Sequence, residues 1–227
     1  VSNGVESRVD LVVPVKPLDR AKSRLVGAAD DGAGDPAAHA ALVVGLALDT
    51  VAAARAAARV RRVLVVTSDP ELTATLRAEG VDVSPDAPGA GLNAALRHGA
   101  ELLRNDPIRP ADGGVGALQA DLPALRPAEL DAAVDAAAGR RAFCPDRQGT
   151  GTTLLLAARG GPLDPSFGPG SAAAHAASGA IALDGPWPSL RCDVDTAEDL
   201  AVATALGLGP RSTALLGIPC GLFPRSP

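Results

Sequence analysis

Short apolar runs alternate with longer stretches of mixed polarity along the chain. Val9 to Val15 (VDLVVPV) is rich in β-branched residues and predicts a buried strand. Arg62 to Thr67 (RVLVVT) predicts a second strand. Further short runs follow at Val81–Ser84, Val115–Gln119, Ala142–Pro145, Thr152–Ala157, Ile181–Leu183 and Leu190–Val194. Between them lie helical patterns. A long helix is expected from Pro36, with Val44, Leu48 and Val51 on its buried face and Asp49, Arg55 and Arg59 turned away. Others are expected after a Ser68 or Asp69 cap, over Asn93–Arg104, over Pro127–Ala138, over Gly170–Ser178 and over Thr196–Leu206. Strands alternating with helices predict a three-layer α/β/α fold around a mostly parallel central sheet. No internal repeat interrupts this order, so residues 1–208 are expected to form a single domain. Past Gly207 the chain turns to Gly, Pro and Ser, which predicts a flexible C-terminal tail over 209–227.

Composition narrows the classes. Of 227 residues 47% are hydrophobic but only 2% aromatic, so the core must be built from Ala, Val and Leu. The longest near-continuous apolar stretch, Ala41–Leu48, falls short of the ~20 residues of a membrane span. Cys144, Cys192 and Cys220 have no paired spacing, and no signal-type segment opens the sequence. Both features predict a reduced, cytoplasmic protein with no membrane partner. The net charge of −5 hides an asymmetry: Lys16 and Lys22, the only lysines, share one short stretch with Arg20 and Arg24. An acidic chain with one basic loop does not bind nucleic acid through a basic stripe, but it suits a single small polyanion.

In open α/β sheets, ligands sit at the carboxyl ends of strands. Six segments there carry candidate chemistry. The loop after the first strand, with Lys16, Lys22 and Arg24, reads either as a triphosphate clamp or as a solvated loop, and it lacks the glycine cradle of a P-loop. Asn93, in GLNAAL, is either an N-cap or an amide that recognises a base or ribose. Asp121, leaving an apolar strand just before Pro123, points a carboxylate into the crevice, where it either caps a helix or binds a hard cation such as Mg2+. Asp193 and Asp195, two residues apart on a predicted strand, present two oxygens to one side, although Asp195 also adjoins a Thr196 N-cap. The glycine- and hydroxyl-rich loops Gly149–Thr153 and Phe167–Ser171 offer backbone N–H donors and hydroxyls to an anion. His175, one turn into the helix after Ser171, either reaches a carboxylate substrate or is an ordinary helical position. Neither a nucleophile–base triad nor zinc-type spacing is readable.

Taken in order, VPVKPLDRAKSRL (13–25), GLNAAL (91–96), LQADLPAL (118–125), DRQGTGTTLLL (146–156), FGPGSAAAH (167–175) and LRCDVDTAEDL (190–200) resemble the guanylyltransferase family of deazaflavin coenzyme F-420 biosynthesis. The resemblance implies a GT-A-like nucleotidyltransferase domain of the nucleotide-diphospho-sugar transferase type. It also implies transfer of GMP from GTP to a three-carbon phospho-acid, with phosphoenolpyruvate as the expected acceptor and 2-phospho-L-lactate or 3-phosphoglycerate as alternatives. Thr152, Gly168 and Ser171 match the acceptor site, and Asp121, Asp193 and Asp195 match Mg2+ carboxylates. Asp121, Asp193 and Lys22 are then the expected catalytic groups, and Lys16, Lys22, Arg24 and Asn93 the nucleotide-binding ones. A downstream F-420 enzyme is an implied partner. Two readings compete with this one. A sugar-phosphate or molybdopterin nucleotidyltransferase would need a glycine-rich first loop, and a non-catalytic nucleotide-binding partner would bind GTP without turnover.

Overall fold

In the computed structural model, residues 8–16, 25–30, 32–86, 91–108 and 113–218 are described. Their elements run β1 (Val9–Pro14), α1 (Pro36–Ala56), β2 (Val60–Thr67), α2 (Pro70–Ala78), β3 (Asp82–Pro85), α3 (Leu92–Arg104), β4 (Gly114–Leu118) and α4 (Pro127–Ala137). They continue with β5 (Ala142–Pro145), β6 (Thr152–Leu156), α5 (Ser171–Ala177), β7 (Ile181–Ala182), α6 (Ala197–Leu206) and α7 (Pro210–Leu215). Seven strands form one sheet in the order β3-β2-β1-β4-β6-β5-β7.

The central strands are buried on both faces because their apolar residues run consecutively, as in Leu11–Val13 and Val63–Val66. Along β1, Leu11 and Val13 turn to one face and Val12 to the other. Along β2, Val63 and Val65 oppose Leu64 and Val66 in the same way. On the first face these side chains meet Leu48 and Val51 of α1, Leu72 and Leu76 of α2, and Leu130 and Ala133 of α4. On the second they meet Leu96 and Leu103 of α3 and, further along the sheet, Ala172 of α5. The three-layer expectation holds, but the sheet is mixed: β6 runs antiparallel to both β4 and β5, while the remaining pairings are parallel. The reversal has a positional consequence. The first residues of β6 lie at the same sheet edge as the last residues of β1, β4 and β5.

Three expectations are corrected. Leu190–Val194 is not a strand. Leu190, Cys192 and Val194 are buried and alternate with the outward Arg191, Asp193 and Asp195, but the segment makes a single sheet-like bond, from Val194 N to Asp121 O at 3.0 Å. The chain after 208 is not a tail from its first residue. Residues 210–215 form α7, which packs on α1, and 219–227 lie outside the described residues. Asp49 does not face solvent but is buried, where its carboxylate accepts from the N–H groups of Arg211 (3.2 Å) and Ser212 (2.8 Å) at the start of α7. Helix α1 is therefore covered on two sides. It has the length and apolar composition of a membrane span, a feature the run-length reading overlooked, yet more than half of that stretch is buried within the fold.

Candidate active site

A cleft of about 430 Å³ opens at the carboxyl edge of the sheet. Lys16, Asp121, Thr152, Gly168, Ser171, Asp193 and Asp195 all line it, so most of the predicted residues meet in one place. Lys22 and Arg24 lie outside the described residues. Lys16 stands exposed just past β1, whose exit is fixed by the bond from Val15 N to Val66 O at 2.9 Å.

Asp121 follows β4, and the register there is held by the bond from Gln119 N to Thr153 O at 2.9 Å. Beyond it the chain is anchored by Leu122, whose N–H donates to the buried Thr50 hydroxyl at 2.9 Å. The Asp193 segment is delivered differently. Glu129 of α4 takes N–H donors from Ser189 (2.8 Å) and Leu190 (3.2 Å), fixing the entry. Thr196 and Asp199 form a capping box at α6, fixing the exit. The acidic residues are held near one another against their repulsion. Burial, followed by the charges of Asp121, Asp195 and Asp146, pushes the Asp193 carboxyl up to about 7.

Asp146 escaped the sequence reading. It follows β5 directly and is buried, and its two carboxylate oxygens accept from Thr150 N (2.9 Å) and Gly151 N (2.8 Å). A side chain at Gly151 would collide with that carboxylate. The signal was an Asp preceding a Gly-Thr-Gly turn, an arrangement that favours side-chain bonding to its own loop. Next to it, Arg147 Nη2 donates to Asp199 Oδ1 at 2.8 Å. Although burial opposes its charge, the bonds from Thr196 and Arg147 hold the Asp199 carboxyl below its usual range. That pair ties the Thr152 loop to the Asp195 loop.

The other side of the cleft is the turn 166–171. Gly168 (φ 142°) and Gly170 (φ 72°) adopt backbone conformations that side chains disfavour. Ala172 N donates to Thr150 O at 3.1 Å, joining this turn to the first loop. Asn93 neither caps its helix, where Gly91 stands, nor lines the cleft. Its Nδ2 donates to Phe167 O (2.9 Å) and its Oδ1 accepts from Phe167 N (2.8 Å), so both ends of the amide are engaged in holding the turn. His175 does not reach the cleft either. It is fully buried behind Thr152, with Nδ1 2.9 Å from Thr152 Oγ1 and Nε2 2.9 Å from Ser166 N. Burial pushes Cys144 and Cys192 each up to about 11, so neither is a thiolate at neutral pH.

Hydroxyls and backbone donors facing a carboxylate group across an open sheet edge are the equipment of a nucleotidyltransferase. The family of MobA-like NTP transferase domains matches residues 45–186. Two solved structures share the fold at 17% identity. A Desulfovibrio desulfuricans protein described as a nucleotide-diphospho-sugar transferase superposes with a TM-score of 0.65, over 93% of this chain and 94% of its own. A nucleotidyl transferase from Methanothermobacter superposes with a TM-score of 0.57, over 88% and 97%. Among sequences, the phosphoenolpyruvate guanylyltransferase of Salinispora arenicola is 55% identical over 91% of this chain and 92% of its own. That of Geodermatophilus obscurus is 54% identical over 91% and 93%. The chain belongs to the phosphoenolpyruvate guanylyltransferase family.

Proposed function

We propose that this chain joins the guanylyl group of GTP to phosphoenolpyruvate, forming enolpyruvyl-diphospho-5'-guanosine and releasing pyrophosphate. The observation that carries the proposal is one cleft with Asp121, Asp193 and Asp195 on one side and Thr152, Gly168 and Ser171 on the other, in a chain of this family. A phosphate oxygen of the acceptor attacks the α-phosphorus of GTP. The new P–O bond forms as the bond to the β-phosphate's bridging oxygen breaks, and the electron pair leaves with pyrophosphate. The attacking group is already an anion, so no general base is required, and no histidine faces the cleft among the described residues. What the reaction needs is alignment of two polyanions and relief of their repulsion. The Thr152 and Ser171 hydroxyls would hold the acceptor phosphate. Lys16, joined by Lys22 and Arg24, would take the pyrophosphate charge.

The donor set fits Mg2+. Asp121, Asp193 and Asp195 offer only hard oxygen donors, and a divalent cation relieves the crowding that raises the Asp193 carboxyl. Among the described residues no three such groups yet converge on one ligation point, so the fit is one of chemistry and placement. Bound there, Mg2+ would neutralise phosphate charge and act as a Lewis acid at the α-phosphate.

Incubation with GTP, Mg2+ and each of phosphoenolpyruvate, 2-phospho-L-lactate and 3-phosphoglycerate, following pyrophosphate release, tests the proposal. Turnover is expected with phosphoenolpyruvate. Release with phospholactate alone would reassign the acceptor, and GTP binding without release from any acceptor would remove the catalytic role.

A further inference from the structure

The geometry points to His175 as a positioning residue of the acceptor site, one that fixes the Thr152 hydroxyl as a hydrogen-bond donor to the acceptor phosphate. The inference rests on the reading of Thr152 as a phosphate ligand. It begins with Ser166, whose backbone N–H lies 2.9 Å from His175 Nε2. A backbone N–H only donates, so Nε2 must present its lone pair. The ring proton of neutral imidazole then sits on Nδ1. Nδ1 is 2.9 Å from Thr152 Oγ1, so Nδ1–H donates and the hydroxyl oxygen accepts. His175 is the one hydrogen-bond partner of that hydroxyl among the described residues, and Thr152 lines the cleft. The hydroxyl's own proton is thereby left for a ligand in the cleft. An unconstrained threonine hydroxyl can turn either its proton or a lone pair toward an anion, and this one is committed to the useful orientation before substrate arrives.

The surroundings keep the ring in that state. Phe167 meets it edge-on at 5.1 Å between centroids and Phe143 lies tilted at 5.8 Å, so the imidazole is enclosed in apolar contacts. Burial, with the Arg141 charge nearby, disfavours the imidazolium, which could not accept from Ser166. The same ring thus joins two walls of the acceptor site. Its Nδ1 sets Thr152 on β6, and its Nε2 holds the residue that leads into the Phe167–Ser171 turn.

Steady-state kinetics on His175→Leu, His175→Asn, Thr152→Val and the double variant His175→Leu/Thr152→Val test this, together with ring 15N spectra of the unaltered protein. KM for phosphoenolpyruvate is expected to rise about tenfold or more in His175→Leu and in Thr152→Val, the scale of one bond to a charged group, with KM for GTP unchanged within about twofold. The double variant should be no worse than the poorer single one. His175→Asn, which can still donate to Thr152, should recover part of the loss. The spectra should show the Nδ1–H tautomer, a readout that stands even where His175→Leu fails to fold. If Thr152→Val leaves KM for phosphoenolpyruvate unchanged, the acceptor-site reading fails and the inference falls with it. If Thr152→Val raises that KM but folded His175→Leu does not, the acceptor site stands and the positioning role is overturned. An Nε2–H tautomer, or parallel rises in both KM values, also overturns it.

Discussion

His175 shows how a residue can matter to a site it never touches. Burial first, and then Arg141, holds its pKa down to about 4, whereas the unfolded chain takes up the proton near the ordinary 6.5. The folded value is the lower one, so the unfolded state binds the proton first as pH falls. The neutral ring's contribution to stability is complete above about pH 6.5 and is lost as pH drops toward 4. Thermal unfolding followed between pH 7 and 4.5 is expected to show Tm falling more steeply for the unaltered protein than for His175→Asn, by several degrees over the interval. Parallel curves would mean that the imidazole is not held neutral by the fold. The sequence placed His175 one turn past Ser171 but could not assign its partners, because Ser166, Thr152 and the two phenylalanines reach it only through tertiary packing. Asn93 was opaque for the same reason: its partner, Phe167, is distant in sequence. Asp146 was closer to legible, since its acceptors and donors are all within its own turn.

At the scale of elements, apolar runs identified the buried strands, because a run such as Leu11–Val13 is covered on both faces. Strand direction was less accessible. Nothing in TTLLL states that β6 runs against β4, and the short turn Asp146–Gly151 is the one local hint that β5 and β6 form a hairpin. The run Leu190–Val194 alternates as a strand does, but Asp193 faces the cleft and no neighbouring strand is offered. Asp193 and Asp195 line the cleft without the strand that the sequence predicts: capping and side-chain anchors deliver them, and no ladder does. Helix α7 was hidden by its Gly-Pro-Ser composition. Its first turn is capped from outside by Asp49, a carboxylate in the middle of α1, while Gly45 leaves room for Leu215. Asp49→Ala removes that cap and leaves buried N–H groups unsatisfied, at a cost of ~1–2 kcal/mol. A fall in Tm of about 4 °C is expected, with KM for GTP and acceptor unchanged within about twofold. Unchanged Tm would show that α7 docks through its apolar contacts alone.

Across the whole molecule, the role proposed for the carboxylate cluster is set against stability. The fold half-buries Asp193 beside Asp121, Asp195 and Asp146, raising its carboxyl from the ordinary 3.8 to about 7. Here the folded value is the higher one, so the folded state keeps the proton longer. Its contribution to stability is present below about pH 4 and is progressively lost as pH climbs to 7, the reverse of the His175 effect. Metal-free protein at pH 8 therefore carries the Asp193 charge among other carboxylates, an arrangement that the proposed cation would relieve. Asp193→Asn removes the charge while keeping the size of the side chain. In the absence of divalent cations at pH 8 it is expected to melt a few degrees above the unaltered protein, yet to lose ~100-fold or more in turnover once GTP, acceptor and Mg2+ are supplied. Added Mg2+ should raise Tm of the unaltered protein more than that of the variant, because an ion that binds the folded state stabilises it in proportion to its affinity. A variant that melts lower at pH 8, or one that keeps full turnover, would place the cost of the acidic cluster elsewhere and separate Asp193 from the chemistry.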